Sequence, residues 1–250
     1  MTGRGGRRPI PFLAGGLALA ALACNTSLFA PTRTPVPTPT PTSAAAAYAG
    51  WPVVLRDTFF EPRNSWELAE ASDDRWAKGR LAVEAGKYRF DLTANDGFIW
   101  WSRGRLDALT TDFYAAVDGR QVSGTADADY GLIFRFAAGN FYYFQISDSS
   151  ASFAVYRYQA ETWTAMLEWT ASPAIRPGEA NQLAVAGEGP DFTLLINGEA
   201  VGAFTDDALP EGGTGVAVQI YTAGEAAVFE FDNFEWRAPR ASLVTTTPEP

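Results

Sequence analysis

Between Trp51 and Arg237 the chain is a succession of short β-branched and aromatic runs, each closed by a cluster of Gly, Asp, Asn or Pro. No stretch sustains apolar residues at a 3.6-residue spacing, so helices cannot supply the core. Strands are expected from 53–58 and 80–84, through 112–119, 130–136 and 141–147, to 215–221 and 226–236. Glu84-Ala85-Gly86-Lys87, Ala137-Ala138-Gly139-Asn140 and Asn197-Gly198 read as hairpin turns, because Gly and Asn tolerate the positive φ that tight turns require. So many short strands fit poorly in one open sheet. The pattern therefore predicts an all-β domain over 51–237, built as two antiparallel sheets packed face to face.

The chain has no histidine and one cysteine, Cys24. The first absence removes Ser-His-Asp and Cys-His catalysis and the usual zinc enzymes. The second means that no intramolecular disulfide can form, so burial must hold the domain together. With 29 acidic against 19 basic residues, the net charge is −10. A polyanionic partner such as nucleic acid is therefore not expected, since its phosphates would be repelled.

Arg4, Arg7 and Arg8 precede an apolar run from Phe12 to Ala23, which ends at Ala21-Leu22-Ala23-Cys24. A basic region, a short apolar segment and small residues at its end form a secretory signal, too short to span a bilayer stably. Ala21 to Cys24 resembles the lipobox of bacterial lipoproteins. The resemblance implies removal of residues 1–23 and acylation of Cys24, which would hold the protein by a lipid on the extracytoplasmic face of the cell membrane. Pro31 to Ser43 then carries Pro at nearly every second position. Such a segment is a semi-rigid polyproline-II spacer, rising about 3 Å per residue, so 24–50 is expected to be a disordered tether. Residues 238–250 are again rich in Pro and Thr and are expected to form a disordered tail.

Several segments carry a further resemblance, through their order and spacing: Asp57-Thr58-Phe59 with Asn64-Ser65-Trp66; Tyr130-Gly131-Leu132-Ile133-Phe134-Arg135 running into Asn140-Phe141-Tyr142-Tyr143-Phe144-Gln145; Asn181-Gln182-Leu183-Ala184-Val185 with Phe192 to Gly198; and Gly215-Val216-Ala217-Val218 with Phe231-Asp232-Asn233-Phe234. Together they resemble the concanavalin A-like lectin/glucanase superfamily, in particular its laminin-G-like and keto-disaccharide-hydrolase-like domains. The resemblance implies a jelly-roll β-sandwich, one sheet of which often binds carbohydrate. It does not imply catalysis, because one fold hosts many functions.

Glycosidases of that superfamily carry E-x-D-x-x-E, a spacing matched here by Glu230, Asp232 and Glu235. Phe229 and Phe231 have one parity, whereas Phe234 and Trp236 have the other. A one-residue bulge near Asn233 would return all four aromatics to the core and turn the three carboxylates outward together. On a terminal strand these read as a solvated outer face. The superfamily's calcium site implies a different use of Asp232: with Asp57 of the first strand it would supply ligands to a structural Ca2+ joining the chain ends.

Sugar recognition uses aromatic faces against pyranose rings, with polar side chains that fix hydroxyls. Trp101, Arg135, Tyr143, Gln145, Tyr156 and Trp163 are the candidate ligand-binding residues on neighbouring strands. A four-residue loop between Phe136 and Phe141 would pair Arg135 with Tyr142 and leave the guanidinium seeking solvent, a carboxylate or a ligand. Which face forms a groove is left open by the sequence. The expected function is a non-catalytic, lectin-like module. The alternatives are a carboxylate-dependent glycoside hydrolase or lyase, and a structural or protein-interaction domain.

Overall fold

The computed structural model describes residues 44–244, apart from 62, 63, 74 and 106. Cys24, residues 1–23 with the expected signal, and the Pro/Thr-rich segment 31–43 lie outside the described residues. In chain order a short helix, α1 (Ala44–Tyr48), precedes β1 (Val53–Asp57), β2 (Ala69–Asp73), β3 (Ala77–Glu84), β4 (Lys87–Ala94) and β5 (Phe98–Ser102). There follow β6 (Leu109–Thr110), β7 (Phe113–Gly124), β8 (Ala128–Ala137), β9 (Asn140–Ser147), β10 (Ser152–Gln159) and β11 (Thr162–Ala171). The remainder are β12 (Asn181–Glu188), β13 (Asp191–Ile196), β14 (Glu199–Thr205), β15 (Gly213–Ile220), β16 (Ala226–Arg237) and β17 (Leu243–Val244).

These strands form the expected jelly-roll β-sandwich of two antiparallel sheets. One is nine-stranded, in the order β14-β13-β12-β7-β16-β4-β3-β2, with β1 also paired to β16. The other is six-stranded, β11-β10-β9-β8-β15-β5. The tight turns form as expected, with positive φ at Ala85 and Gly86, Ala138 and Gly139, and Asn197 and Gly198. Between the sheets lie the rings of Tyr88, Phe90, Phe229, Phe231, Phe234 and Trp236, opposed by those of Tyr130, Phe134, Tyr142 and Phe144. Burying each phenylalanine contributes roughly 2–3 kcal/mol, which lets a disulfide-free domain cohere.

The bulge expected near Asn233 is present. Asn233 has φ +51, and the register of β16 against β7 shifts between Asp232 and Glu235. The bulge also hands β16 from one partner to another: residues 226–231 pair with β4 and residues 234–237 with β1.

The structure moves both domain boundaries outward. Residues 238–244 are part of the fold and not of a disordered tail: Ala238 N–H donates to Pro52 O at 3.1 Å, Ser242 Oγ donates to Asp112 Oδ2 at 3.0 Å, and β17 pairs with β6. At the other end, Tyr48 stacks on Tyr114 at 5.3 Å and donates to Glu188 at 2.9 Å. Arg237 clasps the same segment by donating to Ala49 O and Trp51 O. Tyr48 and Trp51 thus cover an apolar patch of Tyr114, Ala116, Ala184, Ala186 and Leu195 on the outer face of the nine-stranded sheet.

Candidate ligand groove

The six-stranded sheet is apolar on both faces. Leu132, Phe134, Tyr142, Phe144, Val216 and Val218 face the core. The alternate residues form a second cluster on the outer face, with Ile133, Phe141, Tyr143 and Ala217 buried beneath Ile99, Trp101, Phe136 and Tyr158. Strand register sets the pattern: Trp101 lies opposite Ala217, Ile133 opposite Tyr143, and Tyr158 opposite Trp163. Gly131 and Ala217 are paired at mid-sheet, and Gly131 is required there because a Cβ would meet the Phe144 carbonyl of the neighbouring strand.

The result is a groove of ≈ 620 Å³ lined by Ile99 and Trp101 on one side and Phe141, Tyr158 and Trp163 on the other. Trp101 packs on Phe141 at 5.2 Å, and Phe141 meets Trp163 at 5.8 Å. Tyr158 and Trp163 lie 4.8 Å apart, which fixes the ring of Trp163 although the residue is 41% exposed. An apolar surface of this extent on an outer sheet face is a hallmark of a binding site. Polar groups stand at its edge: Gln219, the Tyr221 hydroxyl, and Glu67, whose Oε2 accepts from Trp100 Nε1 at 3.0 Å.

Under one end of the groove lies a small polar cluster. Asp129 is buried and accepts a hydrogen bond from the Tyr221 hydroxyl. Burial pushes its carboxyl up to about 6, with nearby Asp127 adding to the shift and the hydroxyls of Tyr221 and Ser147 opposing it. Tyr143, fully buried, donates to Ala217 O at 3.3 Å, and burial holds its phenol well above the usual range. Gln145 is also buried, and its Oε1 has no hydrogen-bond partner.

Of the residues expected to bind ligand, Trp101 and Trp163 line the groove. Tyr143 and Gln145 share its face but lie beneath the surface. Tyr156 stands beside it, opposite Tyr143 and 6.4 Å from Trp163, with its hydroxyl on Glu168 at 3.4 Å.

Arg135 does not belong to the groove. It has φ +52, and the β8–β9 register shifts between Phe134 and Ala137, so Phe134 and not Arg135 lies opposite Tyr142. This bulge turns the guanidinium inward, over the rings of Phe113 and Phe192, where it donates to Leu209 O at 2.9 Å, Gly189 O at 2.7 Å and Pro210 O. Arg135 is an interior strut between loops, and Phe136 takes the outward position instead.

Asp57 and Asp232 are not brought together as ligands. Asp57 accepts from Phe59 N–H at 2.8 Å, Asn64 Nδ2 at 2.6 Å and Trp66 Nε1 at 2.9 Å, so the Asp57…Trp66 motif is one closed hydrogen-bonded loop. Asp232 pairs with Lys87 and accepts from Asn233 N–H. No group of three or more His, Cys, Asp or Glu side chains placed to hold a metal ion is found among the described residues. A donor set already shared with an ammonium and four N–H groups does not fit calcium, which takes six to eight oxygens.

Glu230, Asp232 and Glu235 do point outward together, but on the nine-stranded sheet, which does not carry the groove. Each is matched by a cation: Glu230 by Arg89 at 2.7 Å, Asp232 by Lys87, and Glu235 by Arg56 at 3.1 Å. They form an ion-pair ladder along a sheet surface.

Ile99, Tyr158, Gln219 and Tyr221 were missed by sequence reading. Tyr158 was recoverable, since it faces Trp163 across the hairpin. Tyr221 lies beyond the end of β15 and gives no periodic signal.

No family model and no curated protein matches the chain. Among solved structures, a Bacillus subtilis protein of unknown function with a galectin-like fold is similar at TM-score 0.53 and 12% identity, over 78% of this chain and 97% of that one. The catalytic domain of an endo-1,3-β-glucanase (laminarinase) from Thermotoga petrophila RKU-1 is similar at TM-score 0.52 and 7% identity, over 76% and 98%. The CBM2 module of the evolved Dit of Lactobacillus casei BL23 phage J-1 is similar at TM-score 0.51 and 11% identity, over 74% and 94%. At these identities the likeness concerns architecture alone: the chain has a β-sandwich fold similar to theirs.

Proposed function

We propose that this protein is a carbohydrate-binding, non-catalytic β-sandwich held at the extracytoplasmic face of the membrane by a lipid on Cys24. The observation that carries the binding role is the aromatic groove, where exposed Trp163 and half-buried Trp101 and Tyr158 stand around Phe141. Such faces suit the apolar sides of pyranose rings, and the polar groups at the edge suit their hydroxyls. The similar folds support the reading, since one is the catalytic domain of a glucanase and another a CBM2 module. The non-catalytic part of this reading is supported by the placement of the one carboxylate set with glycosidase spacing. The carboxylate triplet that matches the glycosidase spacing is neutralised by basic partners and sits on the other sheet, whereas glycoside hydrolysis requires two carboxyl groups flanking the sugar.

The test is retention on a panel of immobilised polysaccharides, for which binding to at least one neutral glycan is expected. Absence of binding across the panel would overturn the reading. The anchor is tested separately by fractionation: Cys24→Ser should move the protein from membranes to the soluble fraction, and continued membrane retention contradicts it.

A further inference from the structure

Beyond Tyr221 a second cavity, of ≈ 440 Å³, opens on the same sheet face. Tyr221 lines both cavities and is the wall between them, its hydroxyl held by Asp129. The chemistry of the second cavity differs from that of the first. Its walls are Ser147, Ser149, Ser150 and Ser152, with Asp127 and Trp169. Trp169 is 39% exposed and lies on β11, the strand that presents Trp163 to the aromatic groove. Six residues separate the two tryptophans, at most about 20 Å along an extended strand.

We infer that the groove continues past Tyr221 into a second subsite that reads hydroxyl groups, and that the ligand is an uncharged oligosaccharide long enough to engage Trp163 and Trp169 together. This rests on the carbohydrate reading above and adds a length and a charge class to it. The serines are suited to the task. Ser150 and Ser152 are hydrogen-bonded to each other at 2.5 Å, and Ser147 to Ser149 at 3.1 Å. Each hydroxyl carries one donor and two acceptor sites, so these pairs retain acceptor capacity toward sugar hydroxyls. Asp127 is exposed, with Oδ2 fixed by Thr222 at 2.6 Å, and adds a charged acceptor. Gln145 continues the row on β9, two residues from Ser147, with its buried Oε1 unpartnered.

Charge selects among sugars. No Lys or Arg lines either cavity among the described residues, whereas Glu67, Asp127 and Asp129 do. Arg75, stacked over Trp76 at 4.3 Å, and Arg103, stacked over Phe136 at 4.1 Å, stand beside residues of the aromatic cavity and not of the serine-lined one. A uronate or sulfate in the second subsite would face carboxylates with no counter-charge.

The experiment is calorimetric titration of the full chain with neutral gluco-oligosaccharides of increasing length and with polygalacturonate. Affinity should rise with length and then level off, and polygalacturonate should bind at least ten-fold more weakly than the neutral series. Trp169→Ala should weaken the long ligands about ten-fold, equivalent to about 1.4 kcal/mol, and leave short ones unchanged. The paired change Ser150→Ala with Ser152→Ala should do the same, whereas Trp163→Ala should weaken both. If short neutral ligands bind but both second-cavity variants leave long-ligand affinity intact, the second subsite is wrong and the aromatic groove stands. Polygalacturonate binding as tightly as the neutral series overturns the charge class alone. No binding of either sugar type overturns this inference and the carbohydrate reading together.

Discussion

Arg135 shows how one backbone torsion reassigns a side chain. By alternation it belongs with Ile133 on the groove face, but the positive φ at the bulge turns it toward Phe113 and Phe192. Burial lowers the guanidinium's pKa, and the carbonyls of Leu209, Pro210 and Gly189 solvate its charge. Truncation leaves those carbonyls without a donor, so Arg135→Ala should lower unfolding stability by about 3 kcal/mol. Urea denaturation measures this; a loss below about 1 kcal/mol with a fall in ligand binding would return Arg135 to the groove. Asp129 is the residue that couples stability to pH. The folded state keeps its proton up to about 6, while the unfolded chain releases it near pH 4. Stability from this group is therefore complete below pH 4 and lost as pH rises through 6, a decline on the order of 3 kcal/mol. Asp129→Asn keeps an acceptor for Tyr221 and should remove that slope from a stability-versus-pH series; an unchanged slope contradicts the assignment.

Among the elements, two bulges decide which side chains face where, and only one could be read in advance. The Asn233 bulge is legible because Phe229 and Phe231 conflict in parity with Phe234 and Trp236, and burying all four demands an extra residue. The Arg135 bulge is hidden, because the Ala138-Gly139 turn gives the same sequence pattern with or without it. The tight hairpins were legible from Gly and Asn, where positive φ is a chemical requirement. β2, with sequence AEASD, and the two-residue strands β6 and β17 were not, since they lack β-branched and aromatic residues or length. The groove face was illegible for a different reason: β8 and β9 place large apolar residues on both faces, so alternation does not distinguish core from surface. The ladder on β16 makes its own prediction. Half-exposed ion pairs contribute little, so Glu230→Gln should change stability by less than about 1 kcal/mol and leave glycan binding intact. Loss of a sugar-releasing activity in that variant would instead make the triplet catalytic.

At the scale of the whole molecule, the two sheets have separate outer surfaces. The nine-stranded sheet carries charge and receives the N-terminal strap, Tyr48 and Trp51. The six-stranded sheet carries the aromatic groove. Stability without disulfides comes from the aromatic core, and the resemblance read from sequence conveyed that architecture well while leaving the ligand face unassigned. The most direct measurement is the indole N–H spectrum of the protein during titration with neutral gluco-oligosaccharides. The account predicts that the Trp101 and Trp163 resonances move, while those of buried Trp236 and of Trp51 on the opposite sheet stay in place. Shifts confined to Trp51, or none at all, would contradict it.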